Sequence, residues 1–169
     1  MEPERKRERM PGKKLVVLLV AIAALLGAIP SSAAEATRES YVAAVEPICK
    51  ANTEANEKIL KGVRAEVKAG KLDSASKKFF AAARALKRTR AQLLQVPKPP
   101  PDSARLTKWL GYVKTEVQLF EAVGRKLANG ESTSAQKMVV RLVSNARQAN
   151  NQVLDFEFRY CRFQPSKFI

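Results

Sequence analysis

The chain holds only two cysteines, Cys49 in an early helical stretch and Cys161 near its end. If the two pair, the first helix is tied to the last segment, and everything between must run out and back. Cys49 lies in Tyr41 to Val67 (YVAAVEPICKANTEANEKILKGVRAEV), where apolar residues recur at the alternating steps of three and four that keep one helix face inward. The inward positions are Tyr41, Val45, Ile48, Asn52, Ala55, Ile59 and Gly62. Thr37 or Ser40 is placed to cap this helix and Gly70 to end it. Pro47 has no N–H to donate, which predicts a kink or an early break.

Three more stripes follow. A second helix, from about Asp73 to Val96, turns Leu72, Ala75, Phe79, Ala82, Leu86, Thr89, Leu93 and Val96 inward. Pro97 stops it, and PKPPPD forms a stiff, extended link. Asp102 or Ser103 caps a third helix with inward Leu106, Leu110, Val113, Val117, Phe120, Gly124 and Leu127, which ends at Asn129-Gly130. The fourth opens with Thr133 and Gln136 at capping-box spacing and turns Ala135, Val139, Leu142, Ala146, Ala149, Val153, Phe156 and Tyr160 inward. Four stripes of similar length with short connections predict an all-α, up-down-up-down four-helix bundle over residues 37–169. Plentiful alanine and only 7% aromatics agree with helix over sheet. Gly124 and the alanines are expected opposite Phe79 and Phe120, so that small and large side chains interlock. Asn52 and Thr89 interrupt the apolar stripes and are expected to be satisfied locally.

The bundle puts a strain on the cysteine pair. Cys49 lies about 20 residues from Gly70 and Cys161 about 28 from Thr133, so at 1.5 Å per residue their depths differ by roughly 12 Å. A disulfide needs Cα atoms within about 7 Å. The fourth helix must therefore end early and fold back, or the first must be displaced lengthwise. Two unpaired thiols in an exported domain are the less reasonable outcome.

The order of an export signal, YVAAVEPICKAN, a proline-rich link and a terminal FRYC resembles small exported helical-bundle proteins of high-GC Gram-positive bacteria. The resemblance covers residues 38–161 and is one of pattern. It implies the bundle and the Cys49–Cys161 pairing, and it implies no activity. The chain departs from the lipid-anchored members in having no anchoring cysteine behind its signal.

Export is read from residues 1–36. Arg5, Lys6, Arg7, Arg9, Lys13 and Lys14 precede an uncharged run from Leu15 to Ile29, which Pro30 breaks. SSAAEA then offers small-x-small cleavage after Ala34 or Ala36. The alternative is an uncleaved membrane anchor, for which the run is short against the norm of roughly 20 residues. Either way residues 37–169 end outside the membrane.

Net charge is +15, from 31 basic and 16 acidic side chains, with no histidine. Residues 1–34 hold six of the bases and three of the acids, so the remainder still carries +12. The second helix is the uneven part: from Ser74 to Pro101 it carries bases and no acid. Lys77, Arg84 and Arg88 share a face with Lys87 close by, a candidate anion-binding site for anionic lipid or wall polymer. The competing reading is a solvated face neutralised by acids on neighbouring helices. Any nucleic-acid binding would be sequence-blind, because no recognition module is present.

Catalytic signatures are absent. There is no Gly-x-Ser-x-Gly elbow, no phosphate-binding glycine loop and no histidine to activate Ser74, Ser103 or Ser144. The cysteines are too distant for a CxxC or zinc motif, and Asp155 and Glu157 are expected on different faces of the last helix. No cofactor or metal is expected: Met138, the one methionine beyond the leader, lies beside the inward stripe. The aromatic and basic end FEFRYCRFQPSKFI is expected to pack across the bundle's open end. The expected function is a non-enzymatic interaction or structural domain outside the membrane, contacting anionic envelope components through the second helix. The alternative is a carrier of an apolar small molecule. A continuous internal cavity would favour the carrier, and a filled core the surface.

Overall fold

The computed structural model describes residues 35–165. The expected signal segment, apart from Glu35 and Ala36, lies outside the described residues. Four long helices and one short one account for most of this span, with no strand among the described residues. They are α1 (Arg38–Leu60), α2 (Val63–Lys68), α3 (Leu72–Leu93), α4 (Ser103–Ala128) and α5 (Ser132–Gln152). The expected all-α four-helix bundle is the fold, with α2 as a broken-off continuation of α1.

The local chemistry departs from the expectations in instructive ways. Thr37 caps α1 in a full capping box with Ser40. The helix does not break at Pro47, which lies inside it, but at Gly62, whose φ of 76° is left-handed backbone that glycine adopts without a Cβ penalty. Lys78 from α3 secures the break. Its ammonium donates to the Lys61 carbonyl at 2.7 Å and to Glu66 of α2 at 2.6 Å. Asp102 precedes α4 without capping it, because its carboxylate is committed elsewhere. Arg38 meets it through two nitrogens at 2.9 and 3.0 Å, and Arg105 through one at 2.6 Å. The Arg38 hydrogen bonds first, and Arg105 after them, hold the Asp102 carboxyl below the ordinary carboxylate range. Thr133 and Gln136 form no capping box, since α5 begins at Ser132 after Glu131 with no side-chain cap.

α1 packs on α3, α3 on α4 and α4 on α5, whereas α1 and α5 make few direct backbone contacts. The seam between those two is filled by the end of the chain. α5 stops at Gln152, a single 3-10 turn (Leu154–Phe156) follows, and Glu157 turns the backbone with a φ of 52°. The early end and fold-back that the cysteine depths require are thus present. The expected inward positions Val153, Phe156 and Tyr160 lie beyond the helix, and the first two are buried in the returning tail. Phe156 meets Tyr41 with ring centroids 6.2 Å apart, and Phe158 and Phe163 lie 5.7 and 6.5 Å from Trp109. Burying each such ring contributes about 1.5–3 kcal/mol. The Tyr41 hydroxyl and Trp109 Nε1 have no hydrogen-bond partner among the described residues, and burial pushes the Tyr41 phenol up to about 12.

Polar contacts fix the tail's register. The Glu46 carboxylate on α1 accepts from the backbone N–H groups of Arg159, Tyr160 and Cys161 at 3.1, 3.1 and 3.2 Å. Asn150 of α5 pairs twice with the Phe163 backbone, donating at 2.9 Å and accepting at 2.8 Å. The Cys49–Cys161 disulfide closes the arrangement, with Cα atoms 5.0 Å apart. Deeper in the bundle Phe79 and Phe120 meet each other (5.9 Å), and the small residue Gly124 faces neither but admits the Phe80 ring, whose nearest atoms would lie 3.1 Å from an added Cβ.

The disulfide closes a 112-residue separation. Replacing both cysteines (Cys49→Ser with Cys161→Ser) is expected to lower the unfolding free energy by about 4–5 kcal/mol through the freed loop. Urea denaturation of the variant beside the oxidised protein checks this.

Candidate functional site

The expected basic face is real as a surface and divided in its pairing. Lys77, Arg84, Lys87 and Arg88 are all exposed on α3. Lys77 is bonded to Asp73, one turn earlier, at 2.7 Å. Arg84, Lys87 and Arg88 join no ion pair with the acids of the described residues. The neighbouring bases of α3 have structural work: Lys78 holds the α1–α2 break, and Arg90 donates to the Leu110 carbonyl at 3.3 Å. No acid of the described residues therefore stands within ion-pair distance of the three remaining charges.

No group of three or more His, Cys, Asp or Glu side chains capable of holding a metal occurs among the described residues. Asp155 bonds Arg105 at 2.9 Å, and both it and exposed Glu157 lie past the end of α5, so neither stands on the last helix as expected. Met138 packs against the core from the side.

The feature the sequence reading did not find lies inside the bundle. A cavity of about 310 Å³ sits under the tail, between α1, α3 and α4. Leu86, Leu93, Val113 and Phe120 supply an apolar wall, while Asn56, Thr89 and Glu116 bring polar atoms into it. The exposed side chains of Glu57, Arg159 and Arg162 lie at its mouth. The volume falls at the low end of the range for small-molecule sites, about 300–1,000 Å³.

The long helices bury five polar residues: Asn56 from α1, Ser76 and Thr89 from α3, Glu116 from α4 and Asn145 from α5, with Ser76 donating to the Gly124 carbonyl at 2.9 Å. Thr89 is satisfied within its own helix by the Ala85 carbonyl, as expected. Asn56 donates to Asn52 at 3.3 Å, but its Oδ1 is buried with no partner among the described residues. Glu116 is 2% exposed. Asn145 Nδ2 donates to its Oε2 at 2.6 Å and to the Tyr112 carbonyl at 3.1 Å. Burial outweighs that hydrogen bond and pushes the Glu116 carboxyl up to about 8. A carboxyl so placed is an acid near neutral pH and an unneutralised acceptor above it.

Spacing carries the signal for these residues. Glu116 follows Val113 by three and precedes Phe120 by four, so it shares their inward face, and Asn145 stands in the same relation to Leu142 and Ala149. Both were masked by a stripe that ran through the adjacent apolar residues, Val117 and Ala146. A second groove of about 350 Å³ lies between α2 and α5, lined by Val63, Val67, Phe79, Ala135 and Val139. No buried carboxyl or amide faces it.

Comparison with family models, curated proteins and solved structures finds no match to this chain. Among the described residues no helix is long and apolar enough to cross a membrane. The disulfide is the mark of an oxidising compartment.

The buried carboxyl has a stability consequence with a definite sign. The folded protein keeps the Glu116 proton to about pH 8, whereas the unfolded chain gives it up near 4.5. The folded state therefore holds more protons between those values, and its stability falls as pH rises through them, by about 1.4 kcal/mol per pH unit. Above the folded value the loss is complete and constant. Glu116→Gln keeps the acceptor for Asn145 and is expected to flatten this dependence, leaving the variant on the order of 4 kcal/mol more stable than the wild type at pH 8. Urea titrations at pH 5, 6.5 and 8 check both the slope and its disappearance.

Proposed function

We propose that the protein is an exported, non-enzymatic binding bundle that holds a small molecule in the cavity beneath its disulfide-tied tail. The observation that carries this reading is the cavity itself, whose lining joins the buried Glu116 and Asn56 to an apolar wall, while Asn56 Oδ1 stays buried with no partner among the described residues. Leaving a buried acceptor unmet costs about 1–3 kcal/mol, so a filled core would be the more stable design. The apolar wall of Leu86, Leu93, Val113 and Phe120 suits the body of an organic ligand. With no histidine in the chain and Glu116 the one buried carboxyl in the cavity, Glu57 being exposed at its mouth, binding is better supported than catalysis. The leader-like residues 1–36 and the disulfide support a site of action outside the membrane.

Titration with the fluorescent probe 1-N-phenylnaphthylamine is expected to give saturable one-to-one binding. Val113→Trp, which fills the cavity from α4, is expected to abolish it at unchanged helix content. Equal binding by both proteins, or none by either, would remove this reading.

A second reading keeps the basic face, because Arg84, Lys87 and Arg88 are exposed and unneutralised. In it the bundle contacts an anionic lipid or wall polymer. Vesicles of phosphatidylglycerol are expected to bind the wild type at physiological salt, and an Arg84→Glu, Lys87→Glu, Arg88→Glu variant to lose about tenfold or more in affinity. Equal affinity for the two proteins would leave those charges as solubilising groups only.

A further inference from the structure

The binding reading above leaves the ligand's chemistry open, and the cavity's two ends narrow it. At the inner end the polar group left for a ligand is the Glu116 carboxyl, whose Oε2 is already met by Asn145 and whose Oε1 is not; Asn56 lines the same end, but its Oδ1 is sealed from the space. A buried carboxyl at the end of such a space calls for a donor-rich group. The mouth has the opposite character. Arg159 and Arg162 stand there on the tail, in no ion pair with the acids of the described residues, and Glu57 of α1 offsets only one of them. Arg159 lies over the Tyr160 ring, 5.2 Å from its centroid, an arrangement that leaves guanidinium N–H groups for an incoming acceptor.

We infer that the cavity takes a small zwitterion of the amino-acid class, its ammonium received by Glu116 and its acidic group met by Arg159 and Arg162 at the mouth. The apolar wall between the two ends accommodates the carbon chain that separates the charges. This rests on the proposal that the cavity binds a small molecule, and it adds a proton to the event. At neutral pH Glu116 is held as the acid. An arriving ammonium converts it to the carboxylate, and the displaced proton leaves to solvent, so one ammonium–carboxylate pair forms for each proton released. Glu57 from α1 and Arg159, Tyr160 and Arg162 from the tail are the other titratable or charged groups lining the cavity. α3 and α5 bring only Thr89 and Asn145 to this polar layer, neither of which titrates near neutral pH.

The test is calorimetric titration of the oxidised protein with four probes of one chain length: 6-aminohexanoic acid, hexylamine, hexanoic acid and hexanol. 6-Aminohexanoic acid is expected to bind tightest, with hexylamine next. Glu116→Gln is expected to weaken both amines about ten- to a hundredfold, the range of a charge-assisted hydrogen bond. Buffers of different ionisation enthalpy are expected to report close to one proton released per amine bound at pH 7, little at pH 9.5, and none with Glu116→Gln. Arg159→Gln with Arg162→Gln is expected to bring 6-aminohexanoic acid down to the affinity of hexylamine. Binding of hexanol or hexanoic acid as tight as that of the amines, or amine binding with no proton release, overturns the zwitterion while the cavity stands as a binding site. Failure of all four probes, together with 1-N-phenylnaphthylamine, overturns the binding reading itself.

Discussion

The carboxylate of Glu46, gripped by three successive backbone N–H groups of the tail, is the contact on which the rest of the molecule depends. It converts a loose end into a wall. α1 and α5 make few direct contacts, so without residues 153–165 the bundle would be open along one side. With the tail in register, Phe156, Phe158 and Phe163 complete the aromatic cluster around Tyr41 and Trp109, and Cys161 stands beside Cys49. Burial supplies the larger part of the attraction, while the Glu46 contacts and the paired bonds of Asn150 choose which residue sits where. The disulfide then makes that choice permanent.

The same wall creates the cavity. Tail residues Arg159 to Pro165 form its roof, and beneath them Asn56, Thr89 and Glu116 leave a place where apolar side chains do not meet. A protein interior is ordinarily packed to the density of an organic crystal. A gap of this size beside a buried carboxyl is therefore a departure from what stability alone would select, and such departures concentrate where a fold meets its ligand.

Most of the fold could be read in advance because it rests on period and punctuation. The apolar stripes around Leu86, Leu110 and Leu142 repeat at helical spacing, and Pro97, Gly70 and Gly130 mark the ends. What escaped was decided by tertiary contact. Pro47 is tolerated in α1, and Gly62 breaks the helix because Lys78 from another helix stabilises the exposed end. Asp102 gave up its capping role to Arg38, a partner 64 residues away. Trp109, fully buried, stands three residues after Leu106 and was left off a stripe drawn one residue to its side. The four bases offered as an anion site were correctly placed on the surface, but the pairing of Lys77 with Asp73 needed the helix start to be known. Glu116 is the sharpest case. A glutamate at an inward spacing reads as surface in any composition argument, and the packing of α3 and α5 on α4 decides for the spacing.

The position of the disulfide also sets how the domain carries mechanical load. The bond joins Cys49 to Cys161, so a pull applied between residue 35 and residue 165 runs down the first half of α1, across the sulfur bridge and out through a few tail residues. The stretch between the cysteines, which holds α3, α4, α5 and the end of α1, is a covalent loop hanging off that short path and bears none of the tension. Tethered at one end and loaded at the other, the domain would lengthen only by peeling the start of α1 and the last residues of the tail. Its cavity would keep most of its walls while its roof was drawn away.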